Sequence, residues 1–483
     1  MEVLTVKEVK EAEARAVAAG LSEDILIENA AAALKEAVLS LTEPRDKICV
    51  LCGGGNNGAD GLSLARMLYL AGKKVTVVLT AQNFGAAAKA RLSACRALGV
   101  PELPAAEFKP NDYVLTVDAM LGTGCNRPLE GTVLEIAQKL NDCEVFVLSV
   151  DIPSGLNADT GETEFAVIAN QTLTFSCVKA GHIIGEGRNY TGNLVVADIG
   201  IRGEGKIKAV LGDGLALPER KAVSHKYNYG RVRVVAGSPE MIGAALLAHE
   251  SAVAALKSGA GLSVLCVPES LKAAYQSRVK EETLCFLPDR NGKIIFDESA
   301  INSLFVKTGA ILIGPGMGEN PELIKIIEYV KNNFSGTLVL DADALNAVAQ
   351  NADILKKHKA NIILTPHMGE FERLVKNAPP SDMPSIAYRV KELAARLGVV
   401  IAAKSATTVI SDGKEVYLNT TGTPALAKGG SGDVLGGMIA AFSCRMPPLN
   451  AAVLGCYHFG KCAEVAERIY GAESLLASNV IIK

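Results

Sequence analysis

The stretch Thr423–Met438, TPALAKGGSGDVLGGM, most restricts what the C-terminal half of this chain can fold into. Three glycines within 429–432 allow backbone N–H groups to turn toward an anion, and the apolar segment 434–442 predicts a helix whose positive end faces the same point. Asp433 lies in the first turn of that helix, where a carboxylate can act as a simple helix cap. A cap does not need the glycines, so they favour a general base beside an anion hole.

A second glycine-rich turn, CGGGNNGADG at 52–61, follows an apolar strand predicted at 47–51 and precedes a helix. Strand, turn and helix in this order bind phosphates or nucleotides at the carboxyl edge of α/β sheets. No Gly-Lys-Ser/Thr follows, so the turn is not a P-loop. Asn-Gly at 57–58 is a strong turn signal, and a plain polar turn is the alternative. Asn56, Asn57 and Asp60 carry more hydrogen-bonding groups than a turn requires, which favours a ligand site.

Composition excludes several classes of partner. Lys+Arg 49 against Asp+Glu 52 gives a net charge of −3, which favours neither nucleic acid nor an anionic membrane. The length predicts about two or three domains. The 11 cysteines lack zinc spacing, and Cys49 and Cys52 lie in an apolar run that predicts buried thiols rather than a redox pair. The N-terminus lacks a signal-peptide core and no run suits a membrane span, so we expect a cytoplasmic protein.

Strand and helix patterns alternate along the first part of the chain. Strands are predicted at 47–51, 74–80, 113–119, 144–152, 172–178 and 194–199, and helices at 6–20, 23–41, 85–98 and 133–140. This alternation predicts the α/β class with a doubly wound parallel sheet, in which ligands bind beyond the carboxyl ends of the strands. Three polar segments fall at such ends: 56–60, DAMLGTGCNR at 118–127 and DIPSG at 151–155. Their shared position predicts one pocket.

The second part alternates in the same way. Strands are predicted at 232–236, 262–267, 310–313, 337–340, 362–364 and 399–403, and a helix at 243–257. Strand ends carry GPGMG at 314–318, DADALN at 341–346, TPHMGEF at 365–371 and KSATT at 404–408. His367 has a structural and a ligand-contact interpretation, and its place at a strand end favours the second. Glu370 fits either helix-end stabilisation or indirect metal contact.

These motifs, with the longer string TPALAKGGSGDVLGGMIAAF, resemble the ADP/ATP-dependent NAD(P)H-hydrate dehydratases of the ribokinase-like superfamily over residues 213–483. The resemblance implies a ribokinase-like α/β domain, Asp433 as the base that deprotonates a hydroxyl, and Mg²⁺ on the nucleotide phosphates. Implied substrate contacts are Ala244, Ala245, Gly316 and His367. Implied nucleotide contacts are Lys404, Ser405, Ala406, Thr407, Thr408, Gly430, Ser431 and Gly432. Tyr227, Met368 and Ser405 depart from the family pattern.

NNGADG, Asp118 with GTGCNR, and SVDIPSGLNADTG at 149–161 resemble the NAD(P)H-hydrate epimerase domain over residues 1–212, which implies a Rossmann-like sheet. In that resemblance Asp151 is the acid/base that lets the hydrated carbon invert, and Asn57, Asp118 and Ser154 bind K⁺. Implied hydrate contacts are Asn56, Asn57, Gly58, Ala59, Asp60, Gly122, Thr123, Gly124, Cys125, Asn126, Arg127 and Pro128. Ala59 replaces a glycine, and a positive φ there would weaken activity.

Together the two resemblances predict a bifunctional repair enzyme. The first domain would interconvert the R and S hydrates of NADH or NADPH, and the second would dehydrate the S form with ADP or ATP, the fused chain favouring ADP. The alternative is a ribokinase-like small-molecule kinase with a non-catalytic N-terminal binding domain, which Asp433 and its glycines fit equally well. The expected partners are small molecules and further copies of the chain in a homo-oligomer.

Overall fold

The computed structural model describes residues 2–203, 205, 207–210, 216–217, 219–240, 242–277, 279–376 and 385–481, with the backbone alone for 242–247. The chain divides into two compact units, Met1–Lys208 and Ala209–Lys483. The predicted boundary between residues 212 and 213 lies outside the described residues. Among the described helices, none combines the length and the apolar character needed to cross a membrane.

The first unit contains a parallel sheet, as predicted. Its strands lie in the order Glu102–Leu103, Lys74–Leu79, Lys47–Cys52, Leu115–Ala119, Phe146–Val150, Gln171–Phe175 and Asn193–Ala197. Its helices are Val6–Ala18, Glu23–Leu41, Asn56–Leu70, Ala86–Leu98, Gly131–Asn141 and Gly187–Tyr190. The strand order reverses between Lys47–Cys52 and Leu115–Ala119, and ligands of doubly wound sheets bind at such a switch point.

Both faces of this sheet are covered. Cys49 and Cys52 on the strand Lys47–Cys52 are fully buried and belong to hydrophobic clusters on opposite faces of the sheet. A strand buried on both faces is apolar at successive positions, which explains the run ICVLC. The prediction of buried, unpaired thiols in this C-x-x-C is confirmed.

The strands predicted at 113–119 and 194–199 are shifted by one or two residues, to Leu115–Ala119 and Asn193–Ala197, and two others end early where the backbone turns to positive φ. The strand predicted at 144–152 ends at Val150, because Asp151 adopts a φ of 63°. The strand predicted at 172–178 is two strands, Gln171–Phe175 and Val178–Lys179, separated where Ser176 has a φ of 59°. Val178–Lys179 pairs instead with the short strand Glu2–Leu4. A further short strand, Ile207–Ala209, follows.

The second unit contains its own sheet, in the order Thr283–Leu287, Leu262–Pro268, Arg231–Val235, Ala310–Ile313, Thr337–Leu340, Asn361–Leu364, Val400–Ala403, Thr408–Ser411 and Val416–Asn419. Pairing is parallel as far as Val400–Ala403 and antiparallel beyond it. A two-stranded sheet joins Asp289–Arg290 and Lys293–Ile294. Helices are Ile242–Lys257, Lys272–Gln276, Glu298–Ser303, Leu323–Asn333, Asp343–Ala349, Met368–Val375, Ile386–Leu397, Ser431–Ser443, Pro448–Tyr470 and Ala477–Val480. This sheet has its switch point between Arg231–Val235 and Ala310–Ile313.

The helix Ser431–Ser443 lies at the centre of the second unit. It begins three residues before the predicted segment 434–442, so the glycine-rich loop feeds directly into its first turn. A Cβ at Gly437 would lie 2.1 Å from the carbonyl oxygen of Ser251 on the helix Ile242–Lys257. Glycine therefore allows these two helices to pack backbone against backbone, which fixes the position of the helix N-terminus.

Two candidate active sites

A cavity of about 1030 Å³ opens at the carboxyl ends of the strands in the first unit. The three polar segments predicted to share one pocket all line it. Their lining residues are Asn56, Asn57, Asp60, Gly122, Thr123, Gly124, Cys125, Asn126, Arg127, Pro128 and Asp151. The cavity lies at the switch point of the sheet, as the strand pattern predicted.

Gly58 and Ala59 do not line this cavity, although both were predicted to contact the hydrate. They lie inside the helix Asn56–Leu70, and a Cβ at Gly58 would lie 1.9 Å from the carbonyl oxygen of Gly53. Ala59 is fully buried in the core and is not among the residues with positive φ. Ala59 was expected to weaken activity only if its φ were positive, and it is not.

Asp151 is the most constrained side chain of the cavity. Its Oδ1 accepts hydrogen bonds from Lys179 Nζ at 2.5 Å, Thr174 Oγ1 at 3.0 Å and the backbone N–H of Phe175 at 3.3 Å. Burial alone would raise the pKa of Asp151, but the Lys179 charge and the hydrogen bonds outweigh it and hold that pKa below its ordinary value. Asp151 is thus an ionised carboxylate in a strained backbone conformation, a combination found at functional sites.

Sequence reasoning missed Lys179 and Glu13. The Lys179 side chain is 1% exposed, yet nothing in the local pattern distinguishes it from a surface lysine. Glu13, on the helix Val6–Ala18, lines the cavity. Burial and the charge of Asp151 raise the pKa of Glu13, and the same causes raise the pKa of Asp60. The cavity therefore places an ionised carboxylate beside carboxyl groups that retain their protons to higher pH, which suits an acid and base pair.

The three residues predicted to bind K⁺ lie in one hydrogen-bonded group, of which only Asn57 lines the cavity. Asp118 is fully buried and accepts hydrogen bonds from Ser154 Oγ at 2.6 Å and from the Ser154 N–H at 2.9 Å. Asn57 Nδ2 donates to the Leu121 carbonyl at 3.0 Å, and the Leu121 N–H donates to Ser154 Oγ at 2.9 Å. In the described part of the chain no cluster of three His, Cys, Asp or Glu side chains could hold a metal. One carboxylate with amide, hydroxyl and carbonyl oxygens suits a hard cation of low charge.

The second site lies at the N-terminus of the helix Ser431–Ser443, where Gly430 has a φ of 89°. Burial raises the pKa of Asp433 to about 7, and the charge of Asp341 adds to this effect while Lys404 opposes it. A general base works best with a pKa near the operating pH, and a mere helix cap needs no such shift. The geometry therefore supports the interpretation of Asp433 as a base.

Lys404 follows the strand Val400–Ala403, and its side chain lies beside the glycine-rich loop. Its Nζ lies 2.7 Å from Asp341 Oδ1, and a Cβ at Gly432 would lie 3.1 Å from the same Nζ. Burial disfavours the charge of Lys404, but Asp341, Glu370 and Asp433 outweigh it and raise the pKa of Lys404. The site therefore holds a permanent cation beside the helix N-terminus, which favours an anionic ligand.

Two buried hydroxyls in this region have no hydrogen-bond partner among the described residues. They are Thr407 Oγ1 and Ser431 Oγ, from the two segments predicted to bind a nucleotide. An unsatisfied buried hydroxyl costs roughly 1–3 kcal/mol, so such groups call for a ligand. Ser405 Oγ instead donates to the Thr407 carbonyl at 2.6 Å. Ala406 and Thr408 belong to the same segment.

His367 caps the helix Met368–Val375. Its ring accepts the Glu370 N–H at 3.3 Å, while Glu370 Oε2 accepts the His367 N–H at 2.8 Å. This reciprocal pair explains Glu370 as helix-end stabilisation. The His367 side chain is 56% exposed, so its ring stays accessible and the ligand contact stays a prediction.

The remaining predicted contacts lie on two elements. Gly316 has a φ of 61° in the turn 314–318, and the N–H of Gly318 donates to Asp343 Oδ2 at 2.8 Å. Ala342, between Asp341 and Asp343, has a φ of 49°. Ala244 and Ala245 belong to the helix Ile242–Lys257, but their side chains lie outside the described residues.

Comparisons with known proteins find relatives for both units of the chain. A family model described as NAD(P)H-hydrate dehydratase matches residues 232–483, and one described as YjeF-related protein N-terminus matches residues 23–181. The bifunctional NAD(P)H-hydrate repair enzyme Nnr of Thermofilum pendens is 33% identical over 507 residues, which span 100% of this chain and 95% of that protein. This chain belongs to the bifunctional NAD(P)H-hydrate repair enzymes.

Further members of the repair-enzyme family are similar to this chain. The Escherichia coli protein of the same name is 32% identical over 448 residues, covering 89% of this chain and 83% of its own. A solved ADP/ATP-dependent NAD(P)H-hydrate dehydratase from Bacillus subtilis, co-crystallised with ATP/Mg²⁺, has 33% identity and a TM-score of 0.44, covering 55% of this chain and 91% of its own. Membership in the repair-enzyme family confirms both resemblances and the α/β fold of the two domains, and it does not favour the kinase alternative.

Proposed function

We propose that this chain interconverts the R and S hydrates of NADH and NADPH in its first unit and dehydrates the S hydrate with ADP or ATP in its second. The main observation behind the proposal is that one chain contains two separate candidate active sites. One site holds an ionised Asp151 beside carboxyl groups with raised pKa values. The other places Asp433, with a pKa of about 7, at a glycine-rich helix N-terminus.

The dehydration needs a better leaving group than hydroxide. Asp433 takes the proton of the substrate hydroxyl, which then attacks the terminal phosphoryl group of the nucleotide. The N–H groups of 430–433 and Lys404 Nζ stabilise the negative charge that develops on that phosphoryl group. Elimination of phosphate, together with loss of a proton from the neighbouring ring carbon, then restores the reduced ring. When bound, Mg²⁺ offsets the charge of the nucleotide phosphates, and Asp341 and Asp343 are the carboxylates that would hold it.

The epimerisation inverts the hydrated carbon, so one bond of that carbon must break and re-form on the opposite face. Loss of the hydroxyl proton turns the carbon into an aldehyde as its bond to the ring nitrogen breaks, and the nitrogen, which takes up a proton meanwhile, then re-adds to the other face. Asp151 accepts the proton, and Lys179 keeps Asp151 ionised between turnovers. Glu13, whose raised pKa keeps it protonated more readily, supplies a proton from another wall of the cavity. When bound, K⁺ would be held by Asn57, Asp118 and Ser154 and would add positive charge beside the cavity.

The remaining assignments belong to the same proposal. In the first unit the hydrate contacts Asn56, Asn57, Asp60 and the lining segment 122–128. In the second unit it contacts Ala244, Ala245, Gly316 and His367, while 404–408 and 430–432 hold the nucleotide. Thr407 Oγ1 and Ser431 Oγ, the two buried hydroxyls without a hydrogen-bond partner among the described residues, support the nucleotide contacts. The division at 212/213, a homo-oligomeric assembly and a cytoplasmic location stay predictions.

Product analysis separates the repair reaction from the kinase alternative. The purified chain is incubated with the S hydrate, Mg²⁺ and either ADP or ATP, and the products are separated chromatographically. We expect reduced cofactor and free phosphate in equal amounts. Accumulation of a stable phosphorylated hydrate would instead identify a kinase. With pure R hydrate, reduced cofactor should form only after S hydrate appears.

A further inference from the structure

A second cavity, of about 440 Å³, opens in the second unit far along the strands from Asp433. It is lined by the first residues of three neighbouring strands, Arg231, Leu262 and Thr283, and so lies at their amino ends. The dehydratase site lies at the carboxyl ends of the sheet. The two sites are therefore separate, and nothing in the proposed reaction uses this cavity.

The cavity is strongly cationic. Lys226, Arg231 and Arg233 line it, and no carboxylate does so in the described part of the chain. Arg233 is 9% exposed and donates from Nε to Thr308 Oγ1 at 3.1 Å. The Tyr227 ring at the rim, which departs from the family pattern, has Lys226 Nζ at 5.5 Å and Arg231 Cζ at 5.9 Å from its centroid. Such a cavity stabilises negative charge on any group within it.

Cys285 lines this cavity and lies directly opposite Cys266 in the parallel register of their two strands. The Cys266 thiol is fully buried and donates to the Val264 carbonyl oxygen at 3.8 Å, and Arg233 interacts with both sulfurs. The neighbouring Cys266 thiol and the Arg233 guanidinium lower the pKa of Cys285 to about 6 against the effect of burial. Burial raises the pKa of Cys444 and Cys456 to about 12, so Cys285 differs sharply from them.

We propose that Cys285 is a peroxide-reactive thiol whose resolving partner is Cys266. Cys285 has solvent access through a cationic cavity, Arg233 lines the same cavity, and a second thiol lies on the directly opposite residue of the neighbouring strand, as is typical of redox-sensing cysteines. The Cys285 thiolate attacks one oxygen of a hydroperoxide, the O–O bond breaks, and Cys285 sulfenic acid forms with release of water or an alcohol. The Cys266 sulfur then attacks the Cys285 sulfur, the S–O bond breaks and water leaves. Two thiols lose two electrons in all, and the hydroperoxide gains them.

The first test needs no mutation. The intact chain is alkylated with iodoacetamide at pH 8 and at pH 6, and the rate at each cysteine is measured by peptide mass spectrometry. An ordinary thiol loses about 75-fold of its thiolate over this interval, whereas Cys285 should lose only about twofold. The partly exposed Cys125 and Cys143 serve as internal comparators. A loss at Cys285 as steep as that of an ordinary thiol would overturn the proposal.

The second test identifies the resolving thiol. After treatment with hydrogen peroxide, the wild-type chain should lose two hydrogens in mass, yield a peptide linking Cys266 to Cys285, and recover with dithiothreitol. Cys266→Ser should stop at a sulfenic acid on Cys285 that dimedone captures, and Cys285→Ser should form no linked peptide. Oxidation of wild type that stays at the sulfenic acid, or that links other cysteines, would contradict the pairing. Because the wild-type result stands alone, a variant that fails to fold does not leave the proposal untested.

Discussion

Asp151 and Asp433 are both buried aspartates, yet their environments move their pKa values in opposite directions. Lys179 contacts Asp151 directly at 2.5 Å, so its charge outweighs burial. The nearest cation to Asp433, Lys404, is already paired with Asp341, and the Asp341 charge adds to the effect of burial. One site therefore holds a carboxylate at all ordinary pH values, and the other holds a base that titrates near neutrality.

The dehydration should therefore depend on pH through Asp433. A base with a pKa of about 7 is active only when deprotonated, so kcat/KM should fall about tenfold per pH unit below that value and level off above it. Epimerisation by the same protein is the internal control, because the lowered pKa of Asp151 keeps that carboxylate ionised to lower pH. Rates of dehydration that stay constant between pH 5 and pH 8 would refute the assignment of Asp433 as the base.

Replacing Lys179 should remove the positive charge that lowers the pKa of Asp151. In Lys179→Met, burial is no longer opposed and the pKa of Asp151 rises, so the acid limb of the epimerisation profile should move to higher pH. We expect the rate at neutral pH to fall by about 100-fold or more. Lys89→Met, at an exposed position on the helix Ala86–Leu98, is the matched control. Rates are measured by chromatography of pure R hydrate, and an unshifted profile would rule out this role for Lys179.

The helices and strands that were predicted correctly from the sequence are those defined by a purely local pattern. Glu23–Leu41, Ala310–Ile313 and Thr337–Leu340 were predicted to the residue, because helical periodicity or an apolar run defines them. The strand ends at Val150 and Phe175 were missed, because apolarity continues across residues whose backbone has turned to positive φ. The polar segments at strand ends were found for the same local reason. Lys179 was not, because its partner Asp151 lies 28 residues away.

The close packing of the helix Ser431–Ser443 gives a prediction at the element scale. In Gly437→Ala the new methyl group would meet the Ser251 carbonyl at 2.1 Å, so the helices Ser431–Ser443 and Ile242–Lys257 must separate. We expect a loss of stability of about 1–3 kcal/mol. Gly429→Ala is the control, because a Cβ there meets nothing within 4 Å. Thermal unfolding of both variants measures the difference, and equal midpoints would contradict the packing.

The whole molecule carries two sites on two separate sheets. The first lies at the switch point of its sheet, and the second lies at the carboxyl ends of the strands Thr337–Leu340 and Val400–Ala403. No residue is shared between the lining of the first cavity and the groups around Asp433. Because fold and site lie within each unit, the two activities need not depend on each other. Family membership of the whole chain was accessible from sequence, since several separated motifs in each half carry it.

Single substitutions should therefore remove one activity at a time. Asp151→Asn should abolish epimerisation and leave dehydration of S hydrate unchanged, and Asp433→Asn should lower dehydration by about 10²–10⁴-fold and leave epimerisation unchanged. An equimolar mixture of the two variants should recover both steps. Loss of both activities in either variant, with its fold retained by circular dichroism, would show that the sites are coupled.

The most direct measurement of the central claim follows the absorbance of the reduced nicotinamide ring. The chain is added to a mixed preparation of R and S hydrates with Mg²⁺ and ADP, and then with ATP. Two active sites predict recovery of all the reduced cofactor with one of the nucleotides, in a fast phase for the S form and a slower one for the R form. Recovery that stops at the S fraction would contradict the epimerase assignment, and no recovery with either nucleotide would contradict the repair function altogether.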